Sequence, residues 1–174
     1  MGAGAIGLLA AETARLQGAK VYIADIALEK LRFVQENFSV DGCILNSSEE
    51  ALAEAVASAT DGNGFDVTVE AAGAPQSFLG CVNASASMGR MVQIGVSKTP
   101  AEFNFTLLQK KELNVLGSRA ATKADFIQTM QHVREGRVEL SRLISCTYPA
   151  SEAPAAFAHL HENAGSIVKM ELEF

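Results

Sequence analysis

The sequence has little of what several protein classes require. Its three cysteines, Cys43, Cys81 and Cys146, are odd in number and far apart, which argues against a disulfide framework and fits reduced thiols in a cytoplasmic protein. None of them forms a CxxC pair. His159 and His161 stand two apart on a predicted helix, where such neighbours point to different sides, so no metal site is expected. Basic charge is also scarce: 14 lysines and arginines face 20 acids, for a net charge of −6, with no basic run. Nucleic acid is therefore not an expected partner. Long hydrophobic runs are missing too. The apolar stretch from Ala5 to Ala11 follows no positive charge and is broken by Glu12 and Arg15, so neither a membrane span nor an export signal is expected. No repeat, low-complexity tract or Pro- or Ser-rich linker divides the chain, and residues 1–174 are expected to form one domain.

What the sequence does have is apolar content and alternation. Hydrophobic residues make up 48% of the 174, and 14 glycines are spread along the chain, enough for a sizeable core. Small and apolar residues recur at helical spacing from Ile6 to Gln17, and Gly18 ends the run as a C-terminal cap would. A short strand, Val21 to Ala24, is closed by Asp25 and followed by a helix over 27–36. The unit then repeats. Cys43 to Leu45 precede a helix over 49–59, with Ser47 and Glu50 as its capping box. Val67 to Val69 precede a helix that Pro75 opens and that runs to about residue 87. Arg90 to Ile94 and Leu113 to Leu116 read as further strands, followed by a helix over 123–134. Strands at 143–146 and 167–172 flank a last helix over 152–161. Strands and helices alternating at this length predict parallel βαβ units in a doubly wound α/β sheet, with ligands at the carboxyl ends of the strands.

One motif carries chemistry. Gly2-Ala3-Gly4-Ala5-Ile6-Gly7 has the spacing GxGxxG, a helix begins inside it, a strand follows, and Asp25 closes that strand 23 residues after Gly2. Gly2 would permit a tight turn, Gly4 a close backbone approach to a pyrophosphate, and Gly7 close packing of helix on sheet. The free amides of Ala5, Ile6 and Gly7 at the helix start attract phosphate. Asp25 would accept hydrogen bonds from a ribose and repel a 2′-phosphate, which favours NAD over NADP. The blander readings are a glycine-rich helix start and a solvated Asp25 capping the next helix.

Taken in order, GAGAIGLLAAETARLQGAK with VYIAD, DVTVEAAG, RMVQIGV, KKELNVLGSR and SIVKMELEF resemble the zinc-type alcohol dehydrogenases of the medium-chain class. The resemblance runs the whole length of the chain. Gly117-Ser118-Arg119 with Asp125-Phe126 is similar to the polyol, sugar-acid and threonine dehydrogenase branch. The resemblance implies a Rossmann fold, α/β with a doubly wound parallel sheet, and an NAD-binding role. It places Gly2, Gly4, Ala5, Ile6 and Gly7 at the pyrophosphate, with Asp25 and Lys30 at the adenosine ribose. Ala72 and Gly73 would lie against the adenosine half, and Gly95 and Val96 at the nicotinamide carboxamide. Arg119 would reach nicotinamide or substrate, and Lys169 the pyrophosphate. Lys30, Arg119 and Lys169 also read as ordinary surface charges.

The resemblance also implies what does not match. The family's catalytic zinc domain has no counterpart here, so no catalytic residue is assigned and the chain is expected to be inactive alone. A non-catalytic nucleotide-binding or oligomeric module is the alternative. Only Met1 precedes Gly2, so the family's first strand, central in the order 3-2-1-4-5-6, is expected to be missing and to leave a groove. Another chain might fill that groove, a different segment of this one might, or rearrangement might close it. Glu102-Phe103-Asn104-Phe105 alternates like an edge strand, and with the family's subunit pairing it predicts a homodimer there. A glycine turn followed by an acid after the second strand also suits a methyltransferase, which the later blocks disfavour. A short-chain dehydrogenase is disfavoured because neither Tyr22 nor Tyr148 has a lysine four residues later. A hydrolase would need a GxSxG elbow, and none occurs.

Overall fold

The structure is a computed structural model that describes residues 1–174. Its first half alternates as expected. Helix α1 (Ala5–Leu16) precedes β1 (Tyr22–Asp25), then come α2 (Leu28–Asn37), β2 (Gly42–Leu45), α3 (Glu49–Thr60), β3 (Phe65–Glu70), α4 (Pro75–Ala84) and β4 (Ser85–Gln93). Next are α5 (Thr106–Lys111), β5 (Asn114–Gly117) and α6 (Lys123–Arg134), and finally β6 (Ile144–Pro149), α7 (Ala153–Glu162) and β7 (Lys169–Glu173). Every strand pairing is parallel, because each strand returns through a helix or turn to the same direction.

The expected single sheet is interrupted. The strands form three groups, β1-β2, β3-β4-β5 and β6-β7. Between β1 and β3 lies an apolar slot of about 610 Å³, lined on one side by α1 and on the other by α3 and α4. The groove expected from the sequence is thus open; no other segment fills it. Only Met1 and Gly2 cross it. Gly2 N donates to Ala24 O (2.8 Å), Ala71 N donates to Met1 O (2.9 Å), and the Met1 amino group donates to Val69 O. These two residues therefore tie the end of β1 to the end of β3.

The core divides accordingly. Leu8, Ala11, Ile23, Leu31 and Val34 pack α1 and α2 on β1, while Cys81, Val82, Met91 and Leu113 pack α4 on β4 and the segment leading into β5. Fully burying one such aliphatic side chain contributes roughly 1.5–3 kcal/mol. Beyond Gly117 only Leu143, Ala156 and Ile167 are buried.

Local expectations needed small corrections. The N-cap of α3 is Ser48, whose Oγ accepts from Ala51 N (3.1 Å), and not Ser47. Helix α4 stops at Ala84, short of residue 87, because Lys111 Nζ caps its end by donating to Val82 O (3.0 Å) and Asn83 O (2.7 Å). A larger correction concerns 102–105. No strand forms there: Leu107 N donates to Asn104 O, Thr106 N donates to Asn104 Oδ1, and Phe105 has helical dihedrals. The alternation of Phe103 and Phe105 comes from a turn into α5, in which Phe103 stacks edge-on against Phe78 (5.2 Å) while Phe105 faces solvent. The edge expected to pair two subunits is therefore not formed.

Candidate functional site

The glycine turn folds back on itself before it can meet anything else. Gly2 adopts φ +99°, and a Cβ there would press on the backbone of Ala71 and Ala72 at 3.0 Å. A Cβ on Gly7 would overlap Gly2 O. Both glycines are thus required by the chain's own packing. Gly4 differs: it is the N-cap of α1, and a Cβ there would meet nothing within 4 Å. In front of it lies open space, and into that space face the first-turn amides of Ala5, Ile6 and Gly7, which precede the first intrahelical bond from Leu8 N to Gly4 O. No acidic residue lies in this first turn, so an anion would meet the positive end of a 12-residue helix.

Asp25 is fastened to this turn. Its Oδ2 accepts from Ala3 N (2.6 Å) and its Oδ1 from Ala27 N (2.8 Å), so the same carboxylate fixes the glycine turn and starts α2. The side chain is only half buried, and each oxygen keeps a lone pair for another donor. The cap reading and the ligand reading are therefore compatible.

The second strand end is organised by a residue that sequence reasoning passed over. Glu70 is fully buried at the end of β3. Its Oε1 accepts from Ala72 N (2.8 Å), Gly73 N (2.8 Å) and Ser77 Oγ (2.5 Å), and its Oε2 from Gln93 Nε2 (2.6 Å). Burial pushes this carboxyl up, but the hydrogen bonds from Ser77, Gly73, Ala72 and Gln93 together outweigh it and hold the pKa below the ordinary glutamate value. Ile94 N and Gly95 N donate to Glu70 O. Gly73, at φ +75°, abuts Val96, and a Cβ on Gly95 would overlap Gly73 N and Glu70 Oε2. The small size of Gly73 and Gly95 is thus explained by loops that press on each other. The available signal was an acid ending an apolar strand, as Asp25 does.

The structure brings most of the expected residues together. Asp25, Ala3, Gly2, Ala72, Gly73, Gly95 and Val96 form a continuous ridge along the carboxyl ends of β1, β3 and β4. Ser118 N donates to Gln93 O, which sets exposed Arg119 at the end of β5 beside it. Lys30 sits in the first turn of α2, just past Asp25. Lys169 does not join: it opens β7, in the separate two-stranded sheet, and is exposed.

The residues present do not fit a zinc ion. No three His, Cys, Asp or Glu side chains converge. His159 Nδ1 is engaged by Tyr148 Oη (2.9 Å), and burial pushes the Cys81 thiol up to about 11, which leaves it a poor thiolate ligand. No helix is long and apolar enough to cross a membrane.

Parallel strands wound with helices, and a glycine turn linked to an acid at the next strand end, define a Rossmann-like α/β dehydrogenase domain. Residues 5–135 match the family described as zinc-binding dehydrogenase, and the chain belongs to that family. It is 34% identical over 99% of its length to a putative D-xylulose reductase of Rhizobium meliloti, of which it covers 49%. It is 30% identical over 98% to a sorbitol dehydrogenase of Halalkalibacterium halodurans, covering 50%. Among solved structures, L-idonate 5-dehydrogenase of Escherichia coli superposes on 99% of the chain with a TM-score of 0.83 at 26% identity, over 48% of that protein. An E. coli alcohol dehydrogenase complexed with the cofactor NADH gives a TM-score of 0.88 at 26% identity, over 99% of this chain and 50% of that one. The chain spans about half the length of the relatives it matches.

Proposed function

We propose that this chain is the NAD-binding part of a polyol or sugar-acid dehydrogenase, and that the ridge along β1, β3 and β4 is where the dinucleotide lies. One observation carries the reading: a carboxylate half exposed at the end of β1 is hydrogen-bonded to the turn that opens α1. A pyrophosphate at Gly4 would accept from the amides of Ala5, Ile6 and Gly7. The adjoining ribose would donate its hydroxyls to Asp25, with Lys30 beside it. The same carboxylate would repel a 2′-phosphate, which gives the preference for NAD over NADP. Ala72, Gly73, Gly95 and Val96 would present backbone groups to the rest of the cofactor, and Arg119 would face the nicotinamide end. Lys169 is the weakest member of this assignment, since its sheet stands apart.

The cofactor, when bound, supplies hydride transfer. The chain's own residues bind and orient it; none of them forms a proton relay at the ridge, so the chain by itself does not turn over substrate. Isothermal titration with NAD, NADH and NADP tests this. NAD or NADH binding that exceeds NADP binding, and that is lost in Asp25→Ala, supports the reading. A folded chain that binds none of them removes it.

A further inference from the structure

The slot between β1 and β3 has a chemistry of its own. In a parallel pair, alternate residues of a strand turn their N–H and C=O to the same neighbour. Val21 O and Asp25 O accept from Asp41 N and Asn46 N on the β2 side, so Tyr22 and Ala24 turn theirs to the slot. Glu70 O accepts from Ile94 N on the β4 side, so Val67 and Val69 do the same from β3. Met1 and Gly2 use Val69 O, Ala71 N and Ala24 O. The N–H groups of Tyr22, Ala24, Val67 and Val69, and the C=O groups of Tyr22 and Val67, remain as two facing rows with the same polarity. Unpaired backbone groups at such depth are costly.

We infer that this slot is a strand acceptor, which takes the carboxyl-terminal segment of a separate polypeptide as an extended apolar strand pairing with β1 and β3 at once. Direction and register follow from Met1 and Gly2, which already pair in parallel with both neighbours and so mark the line that the strand must follow. Length follows from the walls: β1 has four residues and β3 has six, so the occupant has about four to six at roughly 3.3 Å each. Composition follows from the two faces. Ala10 and Ala14 line one and Val56 and Cys81 the other, so the occupant is apolar on both sides, as strands buried within parallel sheets are. Val67, 43% exposed in the empty slot, would be covered.

A strand running toward Met1 must stop there, because Met1 holds the next pairing position. A free carboxyl end stops without a turn, and it sits beside the Met1 amino group, where the charges are complementary. At the other end Lys20, Asn63 and Asp66 line the mouth, so the partner's upstream chain leaves into solvent. A second copy does not supply the strand. Its own terminus, Glu171-Leu172-Glu173-Phe174, alternates acid with apolar residues, and β7 is already paired with β6.

The test uses the 174-residue chain and a synthetic peptide, Lys-Lys-Val-Val-Ala-Val-Ile with a free carboxylate. Amide exchange followed by NMR should show Tyr22, Ala24, Val67 and Val69 slowed about tenfold or more at saturation, with a higher melting temperature. Replacing the central alanine of the peptide with proline should abolish both effects, and amidating its carboxyl end should weaken binding about tenfold, the loss of one charge-assisted contact. If the four amides do not slow in the folded chain, or the proline peptide protects them equally, the acceptor is disproved. Equal binding of the amidated peptide overturns the carboxyl-terminal source. The outcome does not depend on NAD binding, which is read separately by titration.

Discussion

Asp25 and Glu70 close neighbouring strands on opposite sides of the slot, and each carboxylate accepts backbone N–H bonds from the loop that follows. They differ in what remains free. Glu70 is fully buried with four donors around it, so its bonding capacity is spent inside the protein. Asp25 has two donors and a half-exposed side chain. The same local device thus serves as a structural clasp at one strand end and as a ligand contact at the other, and burial decides which.

The largest effect should come from breaking the clasp. Glu70→Ala leaves Ala72 N, Gly73 N, Ser77 Oγ and Gln93 Nε2 without their acceptor, and should cost about 3–5 kcal/mol in urea unfolding. A loss below about 1 kcal/mol would mean that the clasp adds little. Gly7→Ala should come next. Its Cβ overlaps Gly2 O, and relieving that overlap by backbone shifts costs about 1–3 kcal/mol, whereas Gly4→Ala, with open space in front of it, should cost much less. Calorimetry of the two variants side by side reads the difference directly.

Acid separates the two carboxylates further. The Glu70 pKa is held below its ordinary value, so its contribution is fully present above the unfolded-state pKa, near 4.3, and is lost as pH falls through the lower folded-state value. Glu70→Gln should therefore flatten the acid limb of the stability curve below about pH 4.3. An unchanged limb in that variant would assign acid sensitivity to other groups. Asp25→Asn should cost about 1 kcal/mol of stability, since a neutral acceptor replaces a charged one, while weakening NAD binding strongly. The smallest effect is expected far from either clasp. Phe126, 63% exposed on α6, can become serine within about 0.5 kcal/mol in thermal melts.

That last contrast shows how much was legible in sequence. The Thr122/Asp125 capping box starts α6, yet no residue of the helix is buried; periodicity predicted the helix, but not that its apolar side chains Phe126, Ile127 and Met130 would be exposed. The alternation at 102–105 was legible and misread, because period two over four residues does not distinguish a strand from a turn whose phenylalanines face different ways. The Asp25 contact with the glycine turn could be anticipated from spacing, since a strand and a helix of ordinary length separate them. Glu70 could not, because its four donors come from three segments that only folding brings together.

The sequence by itself determined the order of strands and helices, the glycine turn and the acid after it, since these depend on local dihedral and periodic preferences acting over a few residues. Tertiary structure alone decided that Gly7 and Gly95 are small because backbone or carboxylate atoms occupy the space of a side chain, that Glu70 is enclosed while Asp25 is not, and that β1 and β3 face each other across an open slot. Each of these is a distance between segments remote in sequence, and such distances are set by packing, which acts on the folded chain as a whole.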